Sequence, residues 1–261
     1  MNRALALHIP NARAAVRLFC IPYAGGRAGL FRKWSRGLGE CVEVCPVELP
    51  GHGRRFAERP LDSVSSLVDQ LATDLQTLID RPFAMFGHSL GGLIAFELAR
   101  EFRRRFRVEP VRLLVAAVSA PRITGCHPRA RVLSDGELLD RVQRLAGTPQ
   151  TILDDRELMQ MALRVIRADF AAFNAYQYRD EPPLSCPISA FVGDRDPEVR
   201  PQASLAWAYE TRNVFSLRRF RGGHFFVQDS EQDVLQVLSE ELAEISWRRA
   251  FDRVSLPASK L

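Results

Sequence analysis

Residues 83–92 read Phe-Ala-Met-Phe-Gly-His-Ser-Leu-Gly-Gly and contain a Gly-x-Ser-x-Gly motif centred on Ser89. The apolar run Phe83 to Phe86, which is long enough for a strand, leads into this motif. A helical period follows it in Leu90, Ile94, Leu98, Phe102 and Phe106. A serine on a tight turn between strand and helix needs small neighbours, because the two elements approach closely there. The pattern predicts an exposed serine hydroxyl at a helix N-terminus, where negative charge is stabilised.

Outward from this motif, strand-length apolar runs alternate with helical segments along nearly the whole chain. The candidate strands are Val16 to Ile21, Val42 to Val47, Phe83 to Phe86, Leu113 to Ser119, Ile188 to Gly193 and Phe215 to Phe220. A helix capped by Ser63 is predicted between the second and third strands, and another from about Glu231 to Arg249. The alternation predicts the α/β class, with a mostly parallel central sheet flanked by helices. A chain of 261 residues can form one such domain, 1–261.

The segment at about 121–183 interrupts this alternation, because it holds two helical stretches and no convincing strand. The first opens with the capping box Ser134-Asp-Gly-Glu137, and the second runs from about Asp155 to Tyr176 with an unusually wide apolar stripe. The two helices are either ordinary packing helices or a lid whose apolar underside faces a substrate channel. We expect a helical lid inserted at about 121–183.

A serine nucleophile needs a general base and a carboxylate later in the chain. His224 follows the last predicted strand, in Arg-Gly-Gly-His-Phe-Phe, where the order serine, acid, histidine requires the base. The acid should follow the preceding strand, and both Asp194 and Asp196 do so. We choose Asp196 because it lies farther into the loop that must reach His224, whereas Asp194 is better placed to brace the turn.

The other four histidines have weaker claims to be the base. His88 adjoins the serine, but neighbouring side chains on a sharp turn point apart, so it is expected to support the turn. His52 lies in a loop after the second strand, His127 lies in the expected lid, and His8 lies near a terminus expected to be mobile.

Two backbone N–H groups are expected to form an oxyanion hole. One is the amide of Leu90, directly after the nucleophile. The other comes from the loop after the first strand, Pro22-Tyr-Ala-Gly-Gly26, and we assign it to Ala24. The glycines of this loop allow it to fold back towards the serine.

The basic charge of the chain is carried almost wholly by arginine, since Lys33 and Lys260 are the only lysines among 36 basic residues. Codon bias explains that ratio most simply. The net charge of +5 also suits an anionic partner. Arg103-Arg-Arg105 with Arg107 resembles a phosphate-binding patch, but the cluster ends a predicted helix. Cations at a helix C-terminus interact favourably with the helix dipole, so we expect a solvated helix end and not a nucleic-acid-binding site.

The five cysteines are scattered and odd in number, which is typical of a reducing cytosol. Cys41, Glu43 and Cys45 alternate along a strand, but no histidine or second cysteine pair accompanies them at metal-site spacing, so we expect free thiols.

The apolar run near the first residue is too short for a signal peptide, and the longest apolar run, Leu113 to Val118, is too short to cross a bilayer. We expect a cytoplasmic protein. The final Ser259-Lys260-Leu261 also matches a peroxisomal address, which is the less favoured reading.

The chain resembles the type II (editing) thioesterases of polyketide and nonribosomal peptide synthesis, from about Arg17 to Val227. The matching segments are Leu18-Phe-Cys-Ile-Pro-Tyr-Ala-Gly-Gly26, Leu49-Pro-Gly51, Phe86-Gly-His-Ser-Leu-Gly-Gly92, Gly147-Thr-Pro149, Arg167-Ala-Asp-Phe170, Gly193-Asp-Arg-Asp-Pro197 and Gly222-Gly-His-Phe-Phe226. The chain departs from the usual pattern of this family at three places. Leu90 replaces a common methionine, Gly51-His-Gly53 replaces a Gly-Arg-Glu type sequence, and Asn174 replaces a glutamate.

This resemblance implies the α/β-hydrolase fold, with Ser89, Asp196 and His224 as the triad and the amides of Ala24 and Leu90 as the oxyanion hole. It also implies a monomer that hydrolyses acyl thioesters on the phosphopantetheine arm of a carrier protein, with no metal or organic cofactor. The alternatives are a carboxylesterase, an acyltransferase or a catalytically silent carrier-binding protein. Neither a nucleic acid nor a membrane is an expected partner.

Overall fold

A computed structural model describes residues 2–5, 7–125, 134–145 and 156–254. Its centre is a six-stranded sheet of order β2-β1-β3-β4-β5-β6, in which every neighbouring pair is parallel. The strands are β1 (Val16–Ile21), β2 (Val42–Pro46), β3 (Phe83–His88), β4 (Arg112–Ala116), β5 (Ile188–Gly193) and β6 (Phe215–Phe220). The predicted Gly147-Thr-Pro149 match, Cys126, His127 and Ser259–Leu261 lie outside the described residues.

Helices cover both faces of this sheet. They are α1 (Trp34–Gly37), α2 (Val64–Leu75), α3 (Leu90–Phe106), α4 (Pro121–Thr124), α5 (Asp135–Leu145), α6 (Arg156–Asn174), α7 (Pro201–Leu205), α8 (Phe226–Asp229) and α9 (Glu231–Val254). Helices α2 and α3 pack on one face, whereas α1 and α9 pack on the other. The strands alternate accordingly: in β1, Phe19 faces α2 and α3, and Leu18 faces α1 and α9. Both faces are therefore apolar, as a parallel sheet covered by helices requires.

The predicted α/β architecture is confirmed, with differences at the ends of elements. Strands β1, β5 and β6 have the predicted bounds, while β3 continues to His88. Strand β4 ends at Ala116, three residues before the predicted end, because Ala117 has a φ of 52° and leaves the extended conformation. Ser63 caps α2 as predicted, accepting a hydrogen bond from the backbone N–H of Ser66.

Two long helices, α5 and α6, occupy the segment at about 121–183, as predicted. The capping box before α5 is present, because Ser134 N–H donates to the Glu137 carboxylate at 2.9 Å and Glu137 N–H donates to Ser134 Oγ at 3.4 Å. No helix within the described ranges is both long enough and apolar enough to cross a membrane.

The arginines at the end of α3 are engaged by acidic side chains. The pairs are Arg103 with Glu109 and Glu181, Arg104 with Glu101 and Glu181, and Arg105 with Glu101 and Asp69. Because these guanidinium groups already have carboxylate partners, the cluster has less charge to offer a phosphate than its sequence suggests. The interpretation as a solvated helix end, instead of a phosphate-binding patch, agrees with this pairing.

Candidate active site

Ser89 lies on a strained turn between β3 and α3. Its φ of 54° and ψ of −118° are unusual for a residue with a side chain, and its N–H donates to the Ala116 carbonyl oxygen at 2.8 Å. A side chain at Gly87 would collide with the backbone of Gly91, and a side chain at Gly91 would collide with the carbonyl oxygens of the β1 end. The small residues of the motif are therefore required by backbone contacts, which is the geometry of a nucleophile elbow.

A chain of hydrogen bonds joins Ser89, His224 and Asp196. Ser89 Oγ lies 3.0 Å from His224 Nε2, and His224 Nδ1 lies 2.9 Å from Asp196 Oδ2. The Asp196 side chain is fully buried, and the His224 side chain is 7% exposed. Since the carboxylate only accepts, Nδ1 carries the proton, and Nε2 is free to accept the hydroxyl proton of Ser89. This arrangement can generate an alkoxide-like serine.

The two aspartates after β5 occupy different positions. Asp196 accepts hydrogen bonds from the N–H groups of Glu198 and Val199, which hold its second oxygen while the first faces His224. Asp194 is half-exposed, and its carboxylate accepts the Gly222 N–H at 2.9 Å. Asp194 thus bridges the β5 and β6 loops and does not bond His224.

The N–H groups of Ala24 and Leu90 are free to bind a ligand. Leu90 is the first residue of α3, where backbone N–H groups lack partners within the helix. In the part of the chain that the structure describes, neither of these N–H groups donates a hydrogen bond. Both residues line the same cavity as Ser89 and His224. They can therefore stabilise an oxyanion formed beside Ser89.

His88 supports the histidine of this site and not the serine turn alone. Its Nε2 lies 2.8 Å from the His224 carbonyl oxygen, an acceptor, so Nε2 carries a proton and donates. Burial, and then the nearby charge of His224, lower the pKa of His88 to about 3. His88 is therefore neutral at pH 7 and holds the backbone of His224 in place.

A cavity of about 940 Å³ opens above Ser89. Helix α6 supplies much of its apolar wall, through Met161, Ala162, Val165, Ile166, Phe170 and Phe173. Asn174, the departure noted in the sequence, lines it as well. An apolar cavity with a few polar groups at one end is typical of a site for a largely apolar ligand.

A buried pair beside the cavity, of which His52 lines the wall, is not predicted from the sequence. His52 Nε2 lies 2.9 Å from Asp169 Oδ2, and both side chains are at most 2% exposed. Asp169 Oδ2 also accepts the Gly25 N–H at 2.6 Å. The signal available was that Asp169 lies in the quoted Arg-Ala-Asp-Phe segment, but its partner is far away in the sequence.

His8 is fixed by a hydrogen bond, although the sequence led us to expect a mobile terminus. Its Nε2 lies 2.8 Å from Glu43 Oε1, and His8, Glu43 and Cys45 form a close cluster. A histidine therefore does lie beside the Cys45 thiol, although it is far from Cys45 in sequence. Glu43 also pairs with Arg17 and Arg81, so cations already neutralise its charge. Burial raises the pKa of the Cys45 thiol, and the protonated thiol is a poor metal ligand.

Comparisons with known proteins identify relatives along most of the chain. The thioesterase domain family matches residues 16–242. The gramicidin S biosynthesis protein GrsT of Aneurinibacillus migulanus is 40% identical over 232 residues, covering 89% of this chain and 91% of its own.

Solved structures agree with these sequence relatives. RedJ, a thioesterase of the prodiginine pathway in Streptomyces coelicolor, superposes with a TM-score of 0.82 at 36% identity, covering 89% of this chain and 87% of its own. BorB, a type II thioesterase of the borrelidin cluster, gives a TM-score of 0.78 at 35% identity, covering 91% and 97%. The chain therefore belongs to the thioesterase domain family, with the α/β-hydrolase fold and thioester-hydrolysing activity of that family, and groups with the type II thioesterases.

Proposed function

We propose that this enzyme removes acyl groups from the phosphopantetheine arms of carrier proteins, clearing blocked or misloaded polyketide or nonribosomal peptide synthases. Ser89 is the nucleophile, His224 the general base and Asp196 the acid of the triad. The observation that carries the proposal is the hydrogen-bonded chain from Asp196 through His224 to Ser89 at the base of an apolar cavity. The relatives from biosynthetic pathways support the carrier-bound substrate.

In the first half of the reaction, Ser89 Oγ attacks the thioester carbonyl carbon while His224 Nε2 takes the hydroxyl proton. The carbonyl oxygen becomes an oxyanion, which the N–H groups of Ala24 and Leu90 stabilise. When the tetrahedral intermediate collapses, the carbon–sulfur bond breaks, and the sulfur receives the proton from His224. A thiol with a pKa of about 8.5 is a good leaving group, so this step needs little proton assistance.

In the second half, a water molecule attacks the ester formed on Ser89. His224 takes the proton of the water, and the same two N–H groups stabilise the second oxyanion. Collapse breaks the bond between the acyl carbon and Ser89 Oγ, which recovers its proton from His224. The free carboxylic acid leaves, and the enzyme returns to its starting state without any cofactor.

Helices α5 and α6 serve as a lid over the acyl chain in this proposal, within one domain spanning 1–261. The apolar wall supplied by α6 supports the lid, because burial of a methylene group from the acyl chain contributes about 0.8 kcal/mol. The rest of the apolar wall includes residues that pack in or against the core, such as Leu30 and Val118. The acyl chain lies between these two surfaces.

A comparison of two substrates with the same acyl group tests the proposed function. We expect hydrolysis of an acyl-phosphopantetheine thioester to be much faster than hydrolysis of the matching p-nitrophenyl ester, and Ser89→Ala to abolish both. A large preference for the oxygen ester would instead identify a carboxylesterase. Transfer of the acyl group to an added alcohol or amine in preference to water would identify an acyltransferase.

We further propose that the enzyme works as a monomer in the cytoplasm, with neither nucleic acid nor membrane as a partner. The four cysteines in the described ranges are free thiols, which supports a reducing compartment. The peroxisomal reading of Ser259–Leu261 gains no support from the relatives. Light scattering of the purified enzyme, and its failure to bind DNA or RNA at low salt, would test these points.

A further inference from the structure

Helix α6 contacts the loop that carries Ala24. Gly25 N–H donates to Asp169 Oδ2 at 2.6 Å, and Asp169 lies on α6, which is otherwise part of the cavity roof. Ile166, one helical turn earlier, packs so closely that a Cβ atom on Gly25 would lie 2.7 Å from its Cγ1 atom. Gly25 also has a φ of 77°, which favours glycine. Asp169 and Ile166, which lie one helical turn apart on α6, thus fix the position of the peptide group between Ala24 and Gly25.

His52 completes this arrangement from the loop after β2. Its Nε2 lies 2.9 Å from Asp169 Oδ2, and its Nδ1 lies 3.1 Å from the Pro50 carbonyl oxygen. A carbonyl oxygen only accepts hydrogen bonds, and the carboxylate oxygen already accepts one from Gly25. Both ring nitrogens therefore face acceptors, and both contacts are hydrogen bonds only if His52 is doubly protonated. The buried Asp169 carboxylate has a cationic partner.

We propose that Asp169 and His52 are positioning residues for the oxyanion hole. The Asp169 carboxylate orients the Ala24–Gly25 peptide by accepting the Gly25 N–H, and the His52 imidazolium orients that carboxylate. Neither residue contacts the reacting atoms; they act through the loop that presents the Ala24 N–H. Because Asp169 lies on α6, closure of α6 onto the core also assembles the oxyanion hole.

The electrostatic surroundings of His52 support its positive charge. The charged groups that face it are Asp169 on α6 and Glu48, which accepts the Ala28 N–H at 3.0 Å. Burial by itself lowers the pKa of His52. The charge and hydrogen bond of Asp169, together with the Pro50 carbonyl oxygen and the charge of Glu48, outweigh burial, so the pKa is raised above its ordinary value. Loss of either member of a buried ion pair leaves the other uncompensated.

Three substitutions in the full-length enzyme separate positioning from simple lid attachment. Asp169→Asn is nearly isosteric but removes the negative charge, and His52→Gln removes the positive charge while keeping one donor. Arg164→Gln is the matched control, because Arg164 also joins α6 to the loop after β2, through the Glu58 carbonyl oxygen at 3.2 Å, but is exposed and does not touch the oxyanion loop. Each variant is assayed well below its melting temperature.

On a short acyl-pantetheine thioester we expect Asp169→Asn and His52→Gln to lower kcat by about 10- to 100-fold, because misplacing a reacting group by ~1 Å costs roughly 100-fold. KM should change little, and Arg164→Gln should behave like the wild type. An unchanged kcat in folded Asp169→Asn would overturn the inference. An equal loss in Arg164→Gln would overturn it too, because attachment of α6 would then suffice. If Asp169→Asn does not fold, His52→Gln carries this comparison.

A second readout does not depend on turnover, although the inference rests on the oxyanion hole of the proposed function. In ¹⁵N-histidine-labelled wild type, assigned with His52→Gln, both ring nitrogens of His52 should give protonated shifts at pH 7. A neutral His52 ring would overturn the inference while leaving the proposed function intact. Failure of the wild type to hydrolyse the thioester would instead overturn the proposed function, and a doubly protonated His52 would still support the buried pair.

Discussion

Because the two aspartates after β5 have different partners, the same substitution should affect kcat at one of them and not at the other. Asp196→Asn should lower kcat for thioester hydrolysis by about 10⁴-fold, because an amide no longer holds His224 in the tautomer that accepts the serine proton. Asp194→Asn should keep near-normal kcat, because Asp194 bonds Gly222 and not His224. Steady-state kinetics of the two variants checks this. Comparable losses in both would show that the loop as a whole, and not the Asp196 carboxylate, supports the base.

Acid stability should depend on His88. Its pKa is lowered from the ordinary value of 6.5 to about 3, mainly by burial, so the unfolded chain binds a proton between these pH values that the folded chain does not. The stabilisation is fully present above pH 6.5 and decreases as the pH falls towards about 3, by up to about 1.4 kcal/mol per pH unit.

Urea unfolding at pH 7 and pH 5 measures this dependence. His88→Gln keeps a donor for the His224 carbonyl oxygen but cannot gain a charge, so its free energy of unfolding should fall less than that of the wild type over this interval. Parallel losses in the two proteins would show that other groups cause the acid sensitivity.

The residues of the proposed triad could be chosen from the sequence because chain order and strand ends restrict the candidates. Ser89, Asp196 and His224 each follow a predicted strand, and the structure brings them within hydrogen-bond distance. The pairing of His52 with Asp169 could not be predicted, since no periodicity links positions 117 residues apart. It depends on how α6 packs over the loop after β2, which is a tertiary contact.

Among the helices, α6 should determine which acyl chains fit. Ala162 lines the cavity, so Ala162→Trp should reduce kcat/KM for long chains by about fourfold per excluded methylene, at ~0.8 kcal/mol each, and leave short chains unaffected. Ala171→Trp, on the exposed side of the same helix, is the control. Rates across a series of acyl-pantetheine thioesters of increasing length check this. An unchanged length profile in Ala162→Trp would place the acyl chain elsewhere.

The helices and strands could be predicted from apolar periodicity, and the errors in their predicted ends have local causes. Strand β4 was predicted to continue through Ser119 because residues 113–118 are all apolar. Ala117 instead turns with a positive φ, and Ala116 accepts the Ser89 N–H. Helix α9 runs to Val254, beyond the predicted Arg249. Hydrophobic pattern thus predicts which residues are buried better than where a chain bends around a site.

For the protein as a whole, the positive charge should act where it is unpaired. Arg32 and Lys33 are exposed, follow the cavity-lining Leu30, and form no salt bridge with any residue that the structure describes. The carrier proteins that type II thioesterases act on are acidic, and opposite charge speeds association. Arg32→Glu with Lys33→Glu should therefore lower kcat/KM for an acyl-carrier substrate about tenfold at low salt. Hydrolysis of a small pantetheine thioester should be unchanged.

The matched control is Arg13→Glu with Arg212→Glu, which makes the same change in charge. Arg13 and Arg212 precede β1 and β6, at the opposite ends of the parallel strands from Ser89, and both are exposed. Arg13 forms one ion pair, with the equally exposed Glu40 at 3.9 Å, and such surface pairs contribute little. The difference between the two double variants should shrink as salt is raised, because screening shortens the range of the attraction. Equal losses in the two double variants on the carrier substrate would show that Arg32 and Lys33 have no special role in docking. Wild-type rates in both would show that the net charge of +5 has no role in docking at all.

In the proposed reaction, Ser89 takes the acyl group from the carrier-bound thioester. Rapid-quench mass spectrometry of one turnover, with acyl-carrier protein as substrate, tests it most directly. The peptide containing Ser89 should gain the acyl mass as the carrier loses it and before free acid appears, and Ser89→Ala should show neither change. Acid release at the wild-type rate by Ser89→Ala, or an acyl adduct on another residue, would contradict it.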